Sequence, residues 1–197
     1  GAALQARWQQ IAPGQPLNWV FQQRGVGRAD TRPMAGSVPD PHIITEAGAR
    51  YRVQVLPRLA ALRASVLHQD ANDWNVITDA ADPERIAGLI DFGDMCFGRT
   101  VNELAITLAY ALLDAKDIYA SARALIEGYV AEFPLLEAEA DQLYDLMRMR
   151  LAASVCISSR QSRLHPENDY LLISQAPAFA LLSRLEKIDP EFMICLF

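Results

Sequence analysis

The spacing of apolar side chains changes along the chain and predicts where helices and strands lie. After residue 100 apolar residues recur every three to four positions, which is the period of an amphipathic helix. This spacing predicts four helices, at residues 101–114, 118–132, 137–160 and 175–187, with a loop at 162–169. Earlier in the chain, residues 45–64 are mostly helix formers, and we expect Pro57 to bend or divide that helix.

Residues 65–92 lack the helical period and carry short apolar runs instead. Three runs predict strands, at residues 65–67, 75–78 and 85–90. The segment 79–84 is rich in Asp and contains Pro83, so it predicts the turn between the last two strands. Residues 1–23 could begin with a short helix at 2–11, and residues 24–42 indicate a loop.

The predicted fold class is α+β, mainly α-helical, with a small β-hairpin insert in the middle of the chain. The length of 197 residues fits a single domain. In this interpretation residues 1–64 supply an N-terminal segment and the first helices. Residues 65–197 supply the insert and the remaining helices.

The composition limits the kinds of partner and the cellular compartment that we expect for this chain. The net charge of −6 argues against nucleic-acid binding, which needs clustered positive charge. No apolar run reaches the roughly 18 residues that span a bilayer, and no signal-peptide pattern opens the chain. We therefore expect no membrane association and a cytoplasmic location. The three cysteines lack CxxC spacing and are odd in number, which favours free thiols.

The residues with candidate chemistry cluster in and beside the β-insert. Asp70 follows the first predicted strand, Asn75 starts the second, and Asp91 ends the third. Because ends of adjacent strands lie about 5 Å apart, hairpin pairing would bring the Asp70–Asn75 loop beside Asp91. Such a site suits Mg²⁺ with nucleotide phosphates, since magnesium prefers oxygen ligands and takes only one or two carboxylates from protein. An aspartate beside the metal could accept the proton of an attacking hydroxyl in phosphoryl transfer.

These residues also form a recognisable motif. The run His68-x-Asp70-x-x-x-x-Asn75, followed by Asp91-Phe-Gly-Asp94, resembles the aminoglycoside phosphotransferase and choline kinase-like family. With the run 102–105 (Asn-Glu-Leu-Ala), it is most similar to the hydroxylysine kinase-like and homoserine kinase-like branch. The resemblance implies the C-terminal lobe of a protein-kinase-like fold. It also implies ATP- and Mg²⁺-dependent transfer of the γ-phosphate to a hydroxyl of a small amine or amino-acid-like molecule.

The resemblance also implies a role for individual residues. Asp70 would be the catalytic base, and Asn75 and Asp91 would be metal ligands. His68 would support the catalytic loop, which comprises residues 68–75. Glu103 would also support this loop, and it stands where the family usually has an aspartate.

Three further residues are candidates for contact with the substrate or the metal. The resemblance implies that Asp94 helps to bind or orient one of them, and the negative charges of Asp73 and Asp94 would suit a cationic amine. Trp74 is expected to be a packing residue, with a place at the border of the substrate pocket as the alternative. Gln69 stands where the family more often has glycine.

A complete kinase of this class has a second lobe, with a lysine that contacts the phosphates and a loop that covers the nucleotide. Here no lysine precedes Lys116, and the glycine pair at 25–27 lacks a third glycine, since position 30 is Asp30. The nucleotide-binding N-lobe is therefore expected to be absent. The chain could be a fragment or natural truncation of a longer enzyme, a non-catalytic relative, or one half of an enzyme made of two polypeptides. We favour a fragment or natural truncation, because the reacting residues are all present.

Two other functions stay open on the sequence alone. An inactive kinase-like module could bind a partner, form a homodimer or accept an additional lobe through an exposed surface on the N-lobe-facing side. A metal-dependent phosphohydrolase would use the same acidic residues, but the sequence offers no second metal cage.

Overall fold

A computed structural model describes residues 40–167, 173 and 175–188. The predicted helix at 2–11, most of the 24–42 loop and the glycine pair at 25–27 lie outside these residues. The described part is mainly helical with two small sheets, which confirms the predicted α+β class. Its elements, in chain order, are α1 (Pro41–Arg50), a π-helical turn (Tyr51–Val55), a 3₁₀ turn (Leu59–Ala61), β1 (Ala64–Leu67), β2 (Val76–Thr78), β3 (Ile86–Leu89), a second 3₁₀ turn (Phe92–Asp94), β4 (Cys96–Arg99), α2 (Val101–Ala111), α3 (Ile118–Glu132), α4 (Glu137–Leu164) and α5 (Gln175–Leu185).

The first helix begins four residues before the predicted start at residue 45. Asp40 caps it, because its carboxylate accepts a hydrogen bond from the His42 backbone N–H at 3.0 Å. Pro41 follows as the first helical residue, where the missing N–H of proline costs nothing. The π-helical turn continues α1 to Val55 and ends just before Pro57, as the sequence predicted for that proline.

The four strands form two antiparallel pairs. β1 pairs with β4, with Leu67 opposite Cys96, and β2 pairs with β3, with Val76 opposite Leu89. The strands β1, β2 and β3 match the prediction. The strand β4 is a correction, since the sequence predicted no strand after residue 92. Its four residues, Cys96–Arg99, carry no alternating pattern, and their extended conformation is set by pairing with a strand some thirty residues earlier.

The hydrophobic core lies around α4, which contacts α1, α2 and α5. Leu104 and Leu108 on α2 meet Leu143 and Met147 on α4, and each of these side chains is at most 1% exposed. Each fully buried side chain of this kind contributes about 2 kcal/mol of hydrophobic stabilisation. The helical spacing of the sequence therefore identified the core, although α4 runs to Leu164 rather than ending near residue 160.

The division of the chain at residue 64 and the absence of a nucleotide-binding lobe stay predictions. None of the helices in the described residues is both long enough and apolar enough to cross a lipid bilayer.

Candidate functional site

His68 connects the end of β1 to the end of β3. Its Nε2–H donates to the carbonyl oxygen of Ile90 at 2.8 Å. Because that nitrogen carries the proton, Nδ1 holds the lone pair that accepts the backbone N–H of Asp70 at 3.3 Å. The ring is 7% exposed and meets the edge of Phe92, with centroids 5.1 Å apart. His68 thus holds the loop after β1 against the segment that carries Asp91.

The backbone at Gln69 is left-handed, with φ 69°. A left-handed conformation costs a residue with a side chain about 1–2 kcal/mol, and glycine adopts it without that cost. This explains physically why glycine suits the position. The Glu103 carboxylate on α2 accepts the Gln69 backbone N–H at 3.2 and 3.3 Å, so α2 holds the loop in this conformation. The longer glutamate therefore reaches the loop from the place where an aspartate was expected.

The carboxylate of Asp70 is held by donors on both oxygens. Oδ2 accepts hydrogen bonds from the side-chain amides of Asn72 and Asn75, each at 3.1 Å. Oδ1 accepts one from Nη2 of Arg150 at 2.9 Å. The Asp70 side chain is 21% exposed, so a small molecule can still approach it. Its orientation is therefore fixed from one side by its own loop and from the other by α4.

Asn75 and Asp91 lie on neighbouring segments, because the Ile90 N–H donates to the Asn75 carbonyl oxygen at 2.9 Å. The Asn75 amide nitrogen is used twice, for the backbone oxygen of Asp70 at 2.8 Å and for its carboxylate. Its side-chain oxygen is thereby left as the atom that can bind a cation. Asp91 is exposed, adopts the left-handed conformation that aspartate tolerates, and accepts the Gly93 N–H at 3.3 Å.

This donor set fits Mg²⁺ better than a metal that needs a full protein cage. Among the described residues, no three His, Cys, Asp or Glu side chains converge on a possible metal position. An amide oxygen and one carboxylate, with the remaining positions open, match the few protein ligands that Mg²⁺ takes beside nucleotide phosphates. The residues present are therefore compatible with the metal that the sequence implied.

The candidate substrate contacts differ in their exposure. Asp73 is exposed on the loop before β2, and Asp94 is half-buried at the end of the second 3₁₀ turn. Trp74 is 68% exposed, so the residues that the structure describes do not bury it, and both its packing role and its place at the pocket border stay predictions. A large aromatic side chain next to Asn75 needs apolar neighbours to be buried, and here the loop directs it outwards.

Sequence reasoning missed two residues of the site, Arg150 on α4 and Tyr110 on α2. Nη2 of Arg150 lies 2.6 Å from the Tyr110 hydroxyl as well as 2.9 Å from Asp70, and its guanidinium carbon lies 5.2 Å from the Tyr110 ring centroid. A signal was present in the sequence. Arg150 follows Leu143 by seven residues and Met147 by three, so it occupies a core-facing position of the α4 stripe. A charge at such a position needs a partner.

A buried cysteine lies beneath the loop 68–75, near two acidic side chains. Cys96 on β4 is 1% exposed, and burial raises the pKa of its thiol to about 11, with further contributions from the charges of Glu103 and Asp94. This thiol is therefore neutral at physiological pH. It serves as a small apolar side chain beneath the loop 68–75, as expected for a free cysteine.

Residues 2–145 match the phosphotransferase enzyme family. The hydroxylysine kinase of Danio rerio is 34% identical over 156 residues, which cover 78% of this chain and 44% of the relative. The hydroxylysine kinase of Xenopus laevis is 29% identical over 157 residues, which cover 76% and 42%. The hydroxylysine kinase of Mus musculus is 26% identical over 150 residues, which cover 73% and 40%.

These matches confirm the resemblance that the motif indicated. The chain spans less than half the length of the curated relatives it matches. The family match nevertheless includes the whole of the loop 68–75, the Asp91 segment and the helices as far as residue 145. On this ground the chain belongs to the phosphotransferase enzyme family.

Proposed function

We propose that this chain carries the acceptor and metal side of an ATP- and Mg²⁺-dependent kinase for a small hydroxyl-bearing amine or amino acid. The observation that carries the proposal is the state of Asp70. It is a partly exposed carboxylate whose orientation is fixed by the Asn75 amide and Arg150. A carboxylate fixed in this way, beside an asparagine and a second aspartate, is what phosphoryl transfer to a hydroxyl requires.

In the proposed reaction, Asp70 accepts a hydrogen bond from the acceptor hydroxyl and takes its proton. The hydroxyl oxygen forms a bond to the γ-phosphorus, the bond between that phosphorus and the β,γ-bridging oxygen breaks, and ADP leaves. Asn75 and Asp91 would hold Mg²⁺, which neutralises phosphate charge when it is bound. His68 and Glu103 keep the loop in place, through Ile90 and Gln69 respectively.

The acceptor class is proposed from the relatives and from charge. The matching relatives are named as kinases of hydroxylysine, an amino acid that carries a hydroxyl and two amino groups. Asp73 and Asp94 lie on the two loops beside Asp70, and their negative charge would favour a cationic amine. We therefore propose hydroxylysine or a similar amino alcohol as the acceptor. We also propose that residues outside 40–188 supply the contacts that grip the nucleotide.

A second candidate function is an inactive module that binds a partner. It is favoured by a group of exposed apolar side chains on β2, β3 and the adjoining segments: Trp74, Ile77, Ile86, Ile90 and Phe92, each at least 43% exposed. In this alternative the exposed group would contact another lobe, a partner protein or a second copy of the chain.

Activity of the full-length gene product separates the two candidates. The protein is incubated with hydroxylysine, Mg²⁺ and ATP or GTP, and the phosphorylated amino acid is detected by mass spectrometry. We expect turnover that requires Mg²⁺. We also expect Asp70→Ala to lower kcat by about 10²- to 10⁴-fold, the usual contribution of a general base.

A matched variant controls for loss of an aspartate as such. Asp114 is an exposed aspartate in the turn after α2, so Asp114→Ala should leave kcat unchanged. Turnover of Asp70→Ala close to that of the unmodified protein would remove Asp70 from the reaction. Absence of any phosphorylated product from a panel of amino alcohols, with intact folding, would favour the partner-binding module.

A further inference from the structure

Arg150 lies at a point where one side of α4 faces the end of α5 and the other side faces the catalytic loop. Arg148, two residues earlier, is 3% exposed and forms an ion pair with Glu186 beyond the end of α5. Side chains two residues apart point to opposite sides of a helix, so Arg150 faces the catalytic loop instead. Its neighbour Leu151 is 2% exposed, and the backbone of α4 at this point is therefore anchored in the core.

The contacts of Arg150 fix one oxygen of Asp70. Nη2 donates to Oδ1 of Asp70 and to the Tyr110 hydroxyl, at 2.9 and 2.6 Å, and the two charged side chains are 24% and 21% exposed. The guanidinium also lies over the Tyr110 ring. Tyr110 follows Glu103 by seven residues, which is about two helical turns, so both lie on the same face of α2. That face therefore holds the loop at Gln69 through Glu103, and the Asp70 side chain through Tyr110 and Arg150.

A carboxylate accepts about four hydrogen bonds, two on each oxygen. Three donors among the described residues already contact Asp70: the amides of Asn72 and Asn75 on Oδ2, and Arg150 on Oδ1. The open direction is therefore on Oδ1, beside the arginine. The direction of that lone pair depends on Arg150, because the charge-assisted contact sets the rotation of the carboxylate.

We infer that Arg150 is a positioning residue for the proposed phosphoryl transfer, which directs Oδ1 of Asp70 towards the acceptor hydroxyl. This inference rests on the proposed function and adds a residue that the motif did not contain. Arginine suits the task better than lysine, because its planar group donates to Asp70 and Tyr110 while lying over the tyrosine ring. Tyr110 completes the arrangement by accepting from the same nitrogen.

The variants for the test are Arg150→Met, Arg150→Lys and Tyr110→Phe in the full-length gene product. Misplacing a reacting group by about 1 Å lowers the rate by roughly 100-fold, so we expect a fall of that order in kcat for Arg150→Met. The KM for ATP should stay within about twofold, since the arginine's contacts among the described residues, Asp70 and Tyr110, lie on the acceptor side. Arg150→Lys and Tyr110→Phe should fall less, because each keeps part of the arrangement. Arg123→Met on α3 is the matched control, since this arginine pairs with Glu127 on the surface.

A double-variant cycle separates positioning from general stability. If Arg150 acts through Asp70, Arg150→Met should lower the residual rate of Asp70→Ala by less than about twofold, because both changes remove one function. A further fall of about 100-fold in that background, or an unchanged kcat in Arg150→Met alone, would overturn the inference. If Arg150→Met does not fold, Arg150→Lys is carried through the same cycle and judged by the same outcomes. Normal turnover in Asp70→Ala alone would instead reject the proposed function.

Discussion

The ion pair between Arg63, just before β1, and Glu139, in the first turn of α4, gives a prediction about stability. Glu139 is 1% exposed, and its carboxylate accepts hydrogen bonds from Nε of Arg63 at 2.8 Å, from Nη2 of the same arginine, and from the Leu136 N–H at 3.1 Å. Arg63 also donates to the Pro134 carbonyl at 2.6 Å and lies over the Phe133 ring. The strand that leads to Asp70 is thus tied to α4 through one buried carboxylate.

Replacing Glu139 with Gln keeps the shape and removes the charge. Removing one partner of a buried ion pair lowers the free energy of unfolding by about 3–5 kcal/mol when the charge of the other partner stays buried away from solvent. Here the Arg63 side chain is 31% exposed and can be hydrated, and glutamine retains one acceptor. We therefore expect a loss of about 2 kcal/mol in the free energy of unfolding at pH 7, which is below the range for a pair whose remaining charge stays buried.

The loss should depend on pH in a defined direction. Desolvation by burial is the largest influence on the Glu139 carboxyl and raises its pKa. The Arg63 hydrogen bonds and charge, with the Leu136 N–H, outweigh it, so the net pKa lies below the ordinary value of 4.5. The unfolded chain therefore binds a proton first as the pH falls. The contribution is complete above the ordinary pKa and is lost as the pH falls through the lowered one. The difference between the two proteins should shrink in acid.

Urea unfolding followed by circular dichroism measures this difference at pH 7 and in steps below pH 4.5. The matched control is Glu127→Gln on α3, where the pair with Arg123 is exposed on both sides. That change should cost little, because solvent screens an ion pair that is exposed on both sides. A cost for Glu139→Gln no larger than that of the control, or a difference that grows in acid, would refute the reasoning.

Two further predictions concern the end of α5 and the thiol beneath the loop. The Tyr144 hydroxyl donates a hydrogen bond to the carbonyl oxygen of Leu185 at 2.6 Å. Tyr144→Phe should therefore lower the free energy of unfolding, measured by urea titration, by about 1–2 kcal/mol. An unchanged free energy of unfolding would show that this hydrogen bond does not stabilise the fold. Cys96, with its pKa near 11, should react with iodoacetamide at pH 8 much more slowly than half-buried Cys156, since the thiolate is the reacting form. Peptide mapping by mass spectrometry compares the two, and equal rates would contradict the burial of Cys96.

The predictable part of this fold was the part with a repeating pattern. α3 has the predicted bounds, and α2 begins at the predicted residue, because their apolar spacing is regular. The start of α1 was missed because Asp40 and Pro41 determine it through capping rather than through hydrophobic spacing. The strand β4 was missed because four residues with a glycine carry little intrinsic preference until β1 lies beside them.

The candidate site shows the same division. The proximity of Asp70, Asn75 and Asp91 could be predicted from their spacing, because a short loop and a hairpin leave few ways to place three residues at adjacent strand ends. Their roles stay predictions that the kinetic experiments test. The exposure of Trp74 could not be predicted, because it depends on which side of the loop faces the core.

The sequence by itself determined the chemical groups of the site, the order in which they appear and the helices that support them, because these depend on local spacing. Only the tertiary structure decided that Arg150, eighty residues after Asp70, contacts its carboxylate, and that Tyr110 and Glu103 hold the same loop from one face of α2. Contacts between residues so far apart arise from how α2 and α4 pack. That packing is a property of the whole core and leaves no signature in the short segment that carries the motif.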